Sequence, residues 1–468
     1  MKIEKARKYP LESGESRAVK WKAALPVLYA IGSTSLLGLF VTNFLSIYAE
    51  QLDALSAMAI ITLVYSLGVS CSAPIGGYLG DVYGRRNMAL ISIVMLICGV
   101  VITAMAESIP AFLVGLVVWG VANGLDETFY NGLLCDMFSD GDRTFFLSVA
   151  NSFNSGSIVI GSIAMGYLME IISPNAVMLI AACAIVIGWI CLYAFCPNIK
   201  SAPKSHSFDW KGCSLLLLSL SSFCIFLNAA GKYIEWVSWQ SCALLAVGIV
   251  SCLSFLKEEE SADRPLIDLK LFKIRCFVPV IILMGINKLQ GPIITYSMTY
   301  ANVVLNYSTV QLGYTQLLTL IAVVLSPLIG KWLVRTNKFR QSFLISGVLL
   351  VVQGLAMFFF LTPETSFPVF LCLRGIGYLS TVFVAGPSIA YISIIAPKGK
   401  QGMSLGLYTT LTYLFNTFFG SAGGLIYNMH GSDVAVAFPR IAFICSVAAL
   451  CSIMVSMLFV KEPAKVKA

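Results

Sequence analysis

Charged residues are scarce in this chain of 468 residues, in which they make up only 12% while hydrophobic residues make up 58%. A soluble domain averages roughly 25% charged residues, so this composition argues against one. Histidine is nearly absent, and the sequence has neither a paired-cysteine motif nor a G-x-x-x-x-G-K nucleotide loop. We therefore expect neither an enzyme nor a bound metal or cofactor.

Long hydrophobic runs fill almost the whole length instead. A helix needs about 20 apolar residues to cross the hydrocarbon core of a membrane, and a spanning helix satisfies its own backbone hydrogen bonds. The sequence therefore predicts an all-α membrane protein with about fourteen transmembrane helices. These spans are predicted at 25–48, 54–79, 87–106, 110–137, 145–170, 175–196, 212–230, 238–256, 277–301, 308–333, 342–361, 367–396, 402–427 and 438–460.

The predicted spans divide the chain into two six-helix halves, 25–196 and 277–460. The segment between them, 197–276, combines cytoplasmic linkers with two extra transmembrane helices. Hydropathy alone supports this extra pair, so twelve spans stay an alternative to fourteen. Short cytoplasmic tails are expected at 1–24 and 461–468.

Basic residues are distributed unevenly between the predicted loops. Of the 31 Lys and Arg residues, all except Lys232, Arg440, Lys288 and Arg374 lie in or next to loops and tails on the side of the N-terminus. Cytoplasmic loops carry an excess of Lys and Arg. Both termini are therefore predicted to be cytoplasmic, with a bacterial plasma membrane as the expected location. The net charge of +8 then reflects membrane topology rather than nucleic-acid binding.

A glycine-rich motif stands between the second and third spans and reads Gly77-Tyr78-Leu79-Gly80-Asp81-Val82-Tyr83-Gly84-Arg85-Arg86. It resembles the G-x-L-a-D-r-x-G-r-[KR] loop of the major facilitator superfamily. Glycines allow a tight turn where helices approach closely, and an aspartate can face a helix N-terminus or a basic side chain. The resemblance implies the major facilitator fold. It also implies a loop network that controls conformational change and contains Gly77, Asp81, Gly84, Arg85, Arg86 and Arg143.

The extra helix pair and the segments Phe208–Gly212 and Arg264–Phe272 resemble the fourteen-span drug:proton antiporters of that superfamily. This resemblance implies proton-coupled export of small amphipathic compounds. Three positions depart from the pattern of that branch: Gly38 replaces an acid, Leu116 replaces an arginine, and Gly161–Gly166 lacks a proline. These departures keep an uptake permease of the same fold as an alternative. A membrane sensor that does not transport is the remaining alternative.

Two adjacent acids in the fourth span are the candidates for proton coupling. A charge at the centre of a span costs at least about 2.5 kcal/mol, so each is a functional hypothesis. Asp126 and Glu127 point about 100° apart. Glu127 shares its face with Asn123 and Asn131, whereas Asp126 has large apolar neighbours at helical spacing. We predict that Glu127 is the proton carrier in the cavity, and Asp126 is the second candidate for this role. The alternative is a fixed ion pair between helices.

Lys288 and Arg374 are the basic candidates inside predicted spans. Lys288 falls near the midplane beside the Gly291-Pro292 step, which is expected to kink the helix. It can pair with Glu127, bind an anionic substrate or extend toward the interface. Arg374 lies in the outer third of its span and is predicted to be a gate or packing charge. These residues define the predicted substrate cavity, with Asn43, Asn123 and Asn131.

The expected ligands are a small organic substrate and protons. The expected surroundings are a lipid bilayer, and the chain is expected to act as a monomer.

Overall fold

The structure, a computed structural model, describes residues 11, 15–39, 44–138, 140–196, 209–230, 233–261, 272–274, 277–395 and 401–462. The fold is all-helical. In chain order, the helices are α1 (Arg17–Leu39), α2 (Leu45–Gln51), α3 (Met58–Tyr83), α4 (Arg85–Ala104), α5 (Ile109–Met137), α6 (Asp140–Ile171), α7 (Pro174–Phe195), α8 (Trp210–Ala229), α9 (Trp239–Ser261), α10 (Phe277–Asn287), α11 (Gln290–Val303), α12 (Thr309–Tyr314), α13 (Thr319–Thr336), α14 (Phe339–Phe360), α15 (Phe367–Val382), α16 (Ala385–Ile395), α17 (Gln401–Met429) and α18 (Val434–Leu458).

Ten segments within the described ranges are helical, long and apolar enough to cross a membrane. They are Leu55–Ser72, Arg85–Ala104, Ile109–Met137, Pro174–Phe195, Trp210–Ala229, Trp239–Ser261, Phe277–Val303, Phe339–Phe360, Phe367–Ile392 and Val434–Leu458. Each coincides with a predicted span, so the chain is a multi-pass membrane protein. The extra pair, now α8 and α9, is among them. The other predicted spans overlap α1, α6, α13 and α17.

The chain divides into two compact units. The first comprises residues 1–41 and 67–208, and the second comprises 42–66 and 209–468. The boundary falls within α3. The first unit therefore holds α1, most of α3, and α4 to α7, whereas α2, the start of α3, and α8 to α18 belong to the second.

Small residues set the packing of α4 against α5 in the first unit. A Cβ atom on Gly99 would lie 2.6 Å from the backbone nitrogen of Trp119, and one on Gly115 would lie 2.7 Å from that of Thr103. Such close approach of backbones is typical of helix pairs in membranes. The inward face of α5 carries the buried side chains Trp119, Ala122, Phe129 and Leu133.

Two helices of the second unit are interrupted near a proline. The break between α10 and α11 begins at Lys288, and the break between α15 and α16 begins at Phe383. The first residue of each break lies four positions before a proline, Pro292 or Pro387. Proline has no N–H, and its ring crowds the carbonyl four residues earlier, so it favours an interruption of the helix at this point. The first interruption lies just before Gly291-Pro292, where the sequence predicted a local kink. The second was not predicted.

The carbonyl groups at both breaks find other donors. The N–H of Gly291 donates to the Lys288 carbonyl oxygen at 2.9 Å. The hydroxyl of Ser342, on α14, donates to the Phe383 carbonyl oxygen at 2.7 Å. An unsatisfied carbonyl in a membrane costs several kcal/mol, so these contacts make the interruptions tolerable.

Candidate functional site

The two acids of α5 lie on different faces of the helix, as the sequence predicted. Asp126 is only 1% exposed, whereas the side chain of Glu127 is exposed. Asn123 is partly buried and Asn131 is exposed. These two residues and Glu127 are four positions apart, so they form one polar stripe along α5. The helix thus presents one enclosed and one accessible carboxyl group.

The Asp126 carboxyl group is held inside the first unit by side chains that the sequence did not indicate. The hydroxyl of Ser92, on α4, donates a short hydrogen bond to one carboxyl oxygen of Asp126. The hydroxyl of Tyr130 lies close to the same carboxyl group, and Thr34 of α1 lies close to Tyr130. Three helices therefore contribute to this polar cluster.

The arginines of the glycine-rich motif anchor the start of α4 to other helices of the first unit. Arg85 forms an ion pair with Asp136 of α5 at 2.9 Å and donates to the Gly132 carbonyl oxygen at 2.6 Å. Arg86 donates to the carbonyl oxygen of Tyr193 on α7 and lies over its ring, 5.7 Å from the centroid. The arginines thus act as fixed connections between helices.

Gly84 is the residue of the motif whose backbone requires glycine. It precedes α4 with a φ of 90°, in the region that L side chains rarely adopt. The side chains of Gly77, Asp81 and Arg143 lie outside the part of the chain that the structure describes, and so does all of Asn43. Their roles stay predictions.

A polar cavity of about 60 Å³ lies inside the second unit. Since a water molecule needs at least about 10–15 Å³ of such volume, roughly four molecules fit. A drug-sized ligand needs a much larger pocket, of about 300 Å³ or more. The lining residues are Thr62, Leu63, Ser66, Gly291, Pro292, Thr295, Tyr296, Asn416, Thr417, Gly420 and Ser421.

The cavity includes residues that share a helix face with Lys288, because they follow it by three, four and seven positions. Three residues of that face, Gly291, Pro292 and Thr295, line it. Lys288 itself is partly buried at the break between α10 and α11. Lys288 and Glu127 belong to different units, and their pairing stays a prediction. The sequence missed the contributions of α3 and α17 to the cavity because helical spacing describes one helix, not its neighbours.

Arg374 is buried in the second unit, with 1% of its surface exposed. Its Nη1 donates to the Ser297 hydroxyl oxygen at 2.6 Å, and its guanidinium group lies 5.7 Å from the ring centroid of Phe370. The sequence predicted a gate or packing charge here. The contact with Ser297 fixes Arg374 of α15 against α11.

Comparison with known proteins identifies the family. The Major Facilitator Superfamily model matches residues 27–420. The multidrug transporter protein MdtP of Bacillus subtilis is 22% identical over 380 residues, which cover 80% of this chain and 68% of the relative. The quinolone resistance protein NorB of Staphylococcus aureus is 27% identical over 358 residues, which cover 75% of this chain and 76% of the relative.

A solved structure supports the same fold at low identity. The crystal structure of a mutant of the peptide transporter POT is 13% identical, with a TM-score of 0.70, and the match covers 95% of this chain and 96% of the other. Since the family model matches most of the sequence, the chain belongs to the major facilitator superfamily, whose members transport small molecules.

Proposed function

We propose that this protein is a proton-driven exporter of small amphipathic organic compounds that works by alternating access. Relatives named for multidrug transport and quinolone resistance support the substrate class. The observation that carries the proton coupling is the exposed Glu127 beside the enclosed Asp126. No cofactor is needed for this activity.

Glu127 suits the role of proton carrier because of its depth and its accessibility. It lies ten residues before the cytoplasmic end of α5, or about 15 Å along the helix axis. A carboxylate at such depth is too costly in contact with lipid, so its exposed side chain is expected to face a hydrated cavity. Protonation removes its charge, and Asn123 and Asn131 offer polar neighbours on the same stripe. Alternating access then exposes the group to each side in turn.

The membrane topology proposed for this function has fourteen spans and cytoplasmic termini. The pair α8 and α9 distinguishes fourteen spans from twelve, and both helices are long and apolar enough to cross. Charge asymmetry between loops supports the orientation.

Reconstitution into proteoliposomes tests the function. We expect a quinolone or a cationic dye to accumulate only when an imposed pH gradient drives exchange for protons. Glu127→Gln is expected to retain exchange of substrate for substrate but to lose accumulation driven by the gradient. Asp126→Asn, one residue away, is the matched control and is expected to retain part of that accumulation.

Two results would change the proposal. If both variants keep full accumulation, the acids of α5 do not couple transport to protons. If substrate moves in the same direction as protons, the protein is an uptake permease, which the replacement of the usual arginine by Leu116 favours.

A further inference from the structure

Arg374 is a buried cation whose contacts are unusual for a membrane protein. It lies seven residues after the start of α15, about 10 Å along the helix. Its Nη1 faces the Ser297 hydroxyl at 2.6 Å and the Ile294 carbonyl oxygen at 3.4 Å. Phe370, also buried, lies beside the guanidinium group. These three groups are uncharged.

The opposite edge of the guanidinium group lacks partners. Nε and Nη2 of Arg374 are buried and have no hydrogen-bond acceptor among the described residues. Within the same part of the chain, no carboxylate lies within ion-pair distance of this side chain. A buried charge without a counter-ion is costly, and intramembrane arginines usually pair with another group. Ser297 alone does not account for burying this charge.

The free edge has the geometry of a bidentate anion site. The guanidinium group is planar, and its Nε–H points in nearly the same direction as one Nη2–H. Two parallel donors match the two oxygens of a carboxylate, which gives strong and directional binding. Nη1, in contrast, is already engaged by Ser297, so the side chain is oriented before any ligand arrives.

Neutral polar groups lie one helical turn away. Around Gly377 of α15, the absence of a side chain leaves room for the amides of Gln290 and Gln353. The Thr381 hydroxyl donates to the Gln290 side-chain oxygen at 2.7 Å. These groups add hydrogen-bonding capacity without adding a negative charge that would compete for Arg374.

We propose that the Nε and Nη2 edge of Arg374 binds the carboxylate group of an organic anion during transport. This inference rests on the proposed transport function and adds a substrate class to it, namely compounds that carry a carboxylate. In this structure the guanidinium group is enclosed, so the ligand enters when the packing opens on the Nε and Nη2 side, while the contact with Ser297 of α11 keeps the side chain oriented.

Binding of radiolabelled benzoate to the purified full-length protein tests the site. We expect saturable binding that unlabelled benzoate displaces and that benzamide, its uncharged analogue, does not. Arg374→Gln is expected to weaken benzoate affinity roughly 30-fold or more, because a buried charge pair loses its cation. Arg374→Lys keeps the charge but lacks the two parallel N–H donors, so an affinity at least about tenfold below wild type is expected. Arg440→Gln, an exposed arginine on α18 of the same unit, should have no effect.

The site would be overturned if the wild-type protein bound no benzoate, or if Arg374→Gln bound it with wild-type affinity. Full affinity in Arg374→Lys would exclude bidentate recognition. If Arg374→Gln fails to fold, Arg374→Lys carries the test, because it keeps the cation and removes only the pair of parallel donors. Dye transport without benzoate binding would refute this site alone. Benzoate binding without transport of any compound would refute the proposed function instead.

Discussion

At the scale of single residues, two glycines determine how closely α4 and α5 approach. Gly99 and Gly115 each face backbone atoms of the other helix, so no side chain fits between them. By contrast, an added Cβ on Gly156 of α6 would have no heavy atom of another described segment within 4 Å. The same substitution is therefore expected to have opposite consequences at these positions.

We predict that Gly115→Ala destabilises the protein and that Gly156→Ala does not. The first change forces the helices apart at Thr103, which costs about 1–3 kcal/mol. The second improves helix propensity by up to about 1 kcal/mol without a clash. Thermal unfolding of the purified variants measures both effects. A Gly115→Ala protein as stable as the Gly156→Ala protein would show that α4 and α5 do not pack as described.

Residue spacing predicted which acid of α5 is enclosed, but not what encloses it. Trp119, Ala122, Phe129 and Leu133 recur with the helical period on the side of Asp126, and all are buried. This pattern is contained within one helix. The partner Ser92 comes from α4, and contacts between helices depend on packing that spacing does not describe. Arg374 illustrates the same limit, since Ser297 lies 77 positions away in the sequence.

At the scale of elements, the interrupted helices depend on substitutes for lost backbone hydrogen bonds. Pro387 cannot donate to the Phe383 carbonyl group, and the Ser342 hydroxyl of α14 does so instead. One hydroxyl therefore joins two helices and stabilises the interruption.

A double-mutant cycle tests this substitution. Ser342→Ala alone is expected to cost about 1–3 kcal/mol, because the Phe383 carbonyl loses its donor. Pro387→Ala restores an N–H that can bond to the same carbonyl, so Ser342→Ala should cost less in that background. Unfolding midpoints of the four proteins give the coupling.

A second cycle provides the control. Ser214 of α8 donates to the Trp210 carbonyl oxygen within its own helix. Ser214→Ala combined with Pro387→Ala should be additive, and additivity in the Ser342 cycle as well would contradict the proposed role of Ser342.

The first interruption was predictable from sequence and the second was not, although both follow the same chemistry. Gly291-Pro292 is distinguished from other Gly-Pro steps by the charged Lys288 in the same span. Gly386-Pro387 has no charged neighbour nearby, and the run 367–396 is apolar enough to pass for one continuous helix. A proline alone does not predict an interruption, since Pro26 lies inside α1 and Pro439 inside α18 without ending either helix.

At the scale of the whole molecule, charge distribution predicts the orientation of the chain, whereas hydropathy predicts the number of spans. The excess of Lys and Arg on one set of loops predicts which side is cytoplasmic. It does not depend on α8 and α9, because a pair of spans returns the chain to the side from which it started. The number of spans therefore needs a measurement within that pair.

Reporter cysteines in a cysteine-free background provide this measurement. Val237, in the loop between α8 and α9, is 89% exposed, and Tyr83, at the end of α3, is 61% exposed. If the pair crosses the membrane, a membrane-impermeant thiol reagent should label Val237→Cys from outside intact cells. Tyr83→Cys should react only after the cells are opened, because its loop is predicted to be cytoplasmic. Labelling of Tyr83→Cys from outside would reverse the orientation. Protection of Val237→Cys until the cells are opened would mean that α8 and α9 do not cross and would leave twelve spans.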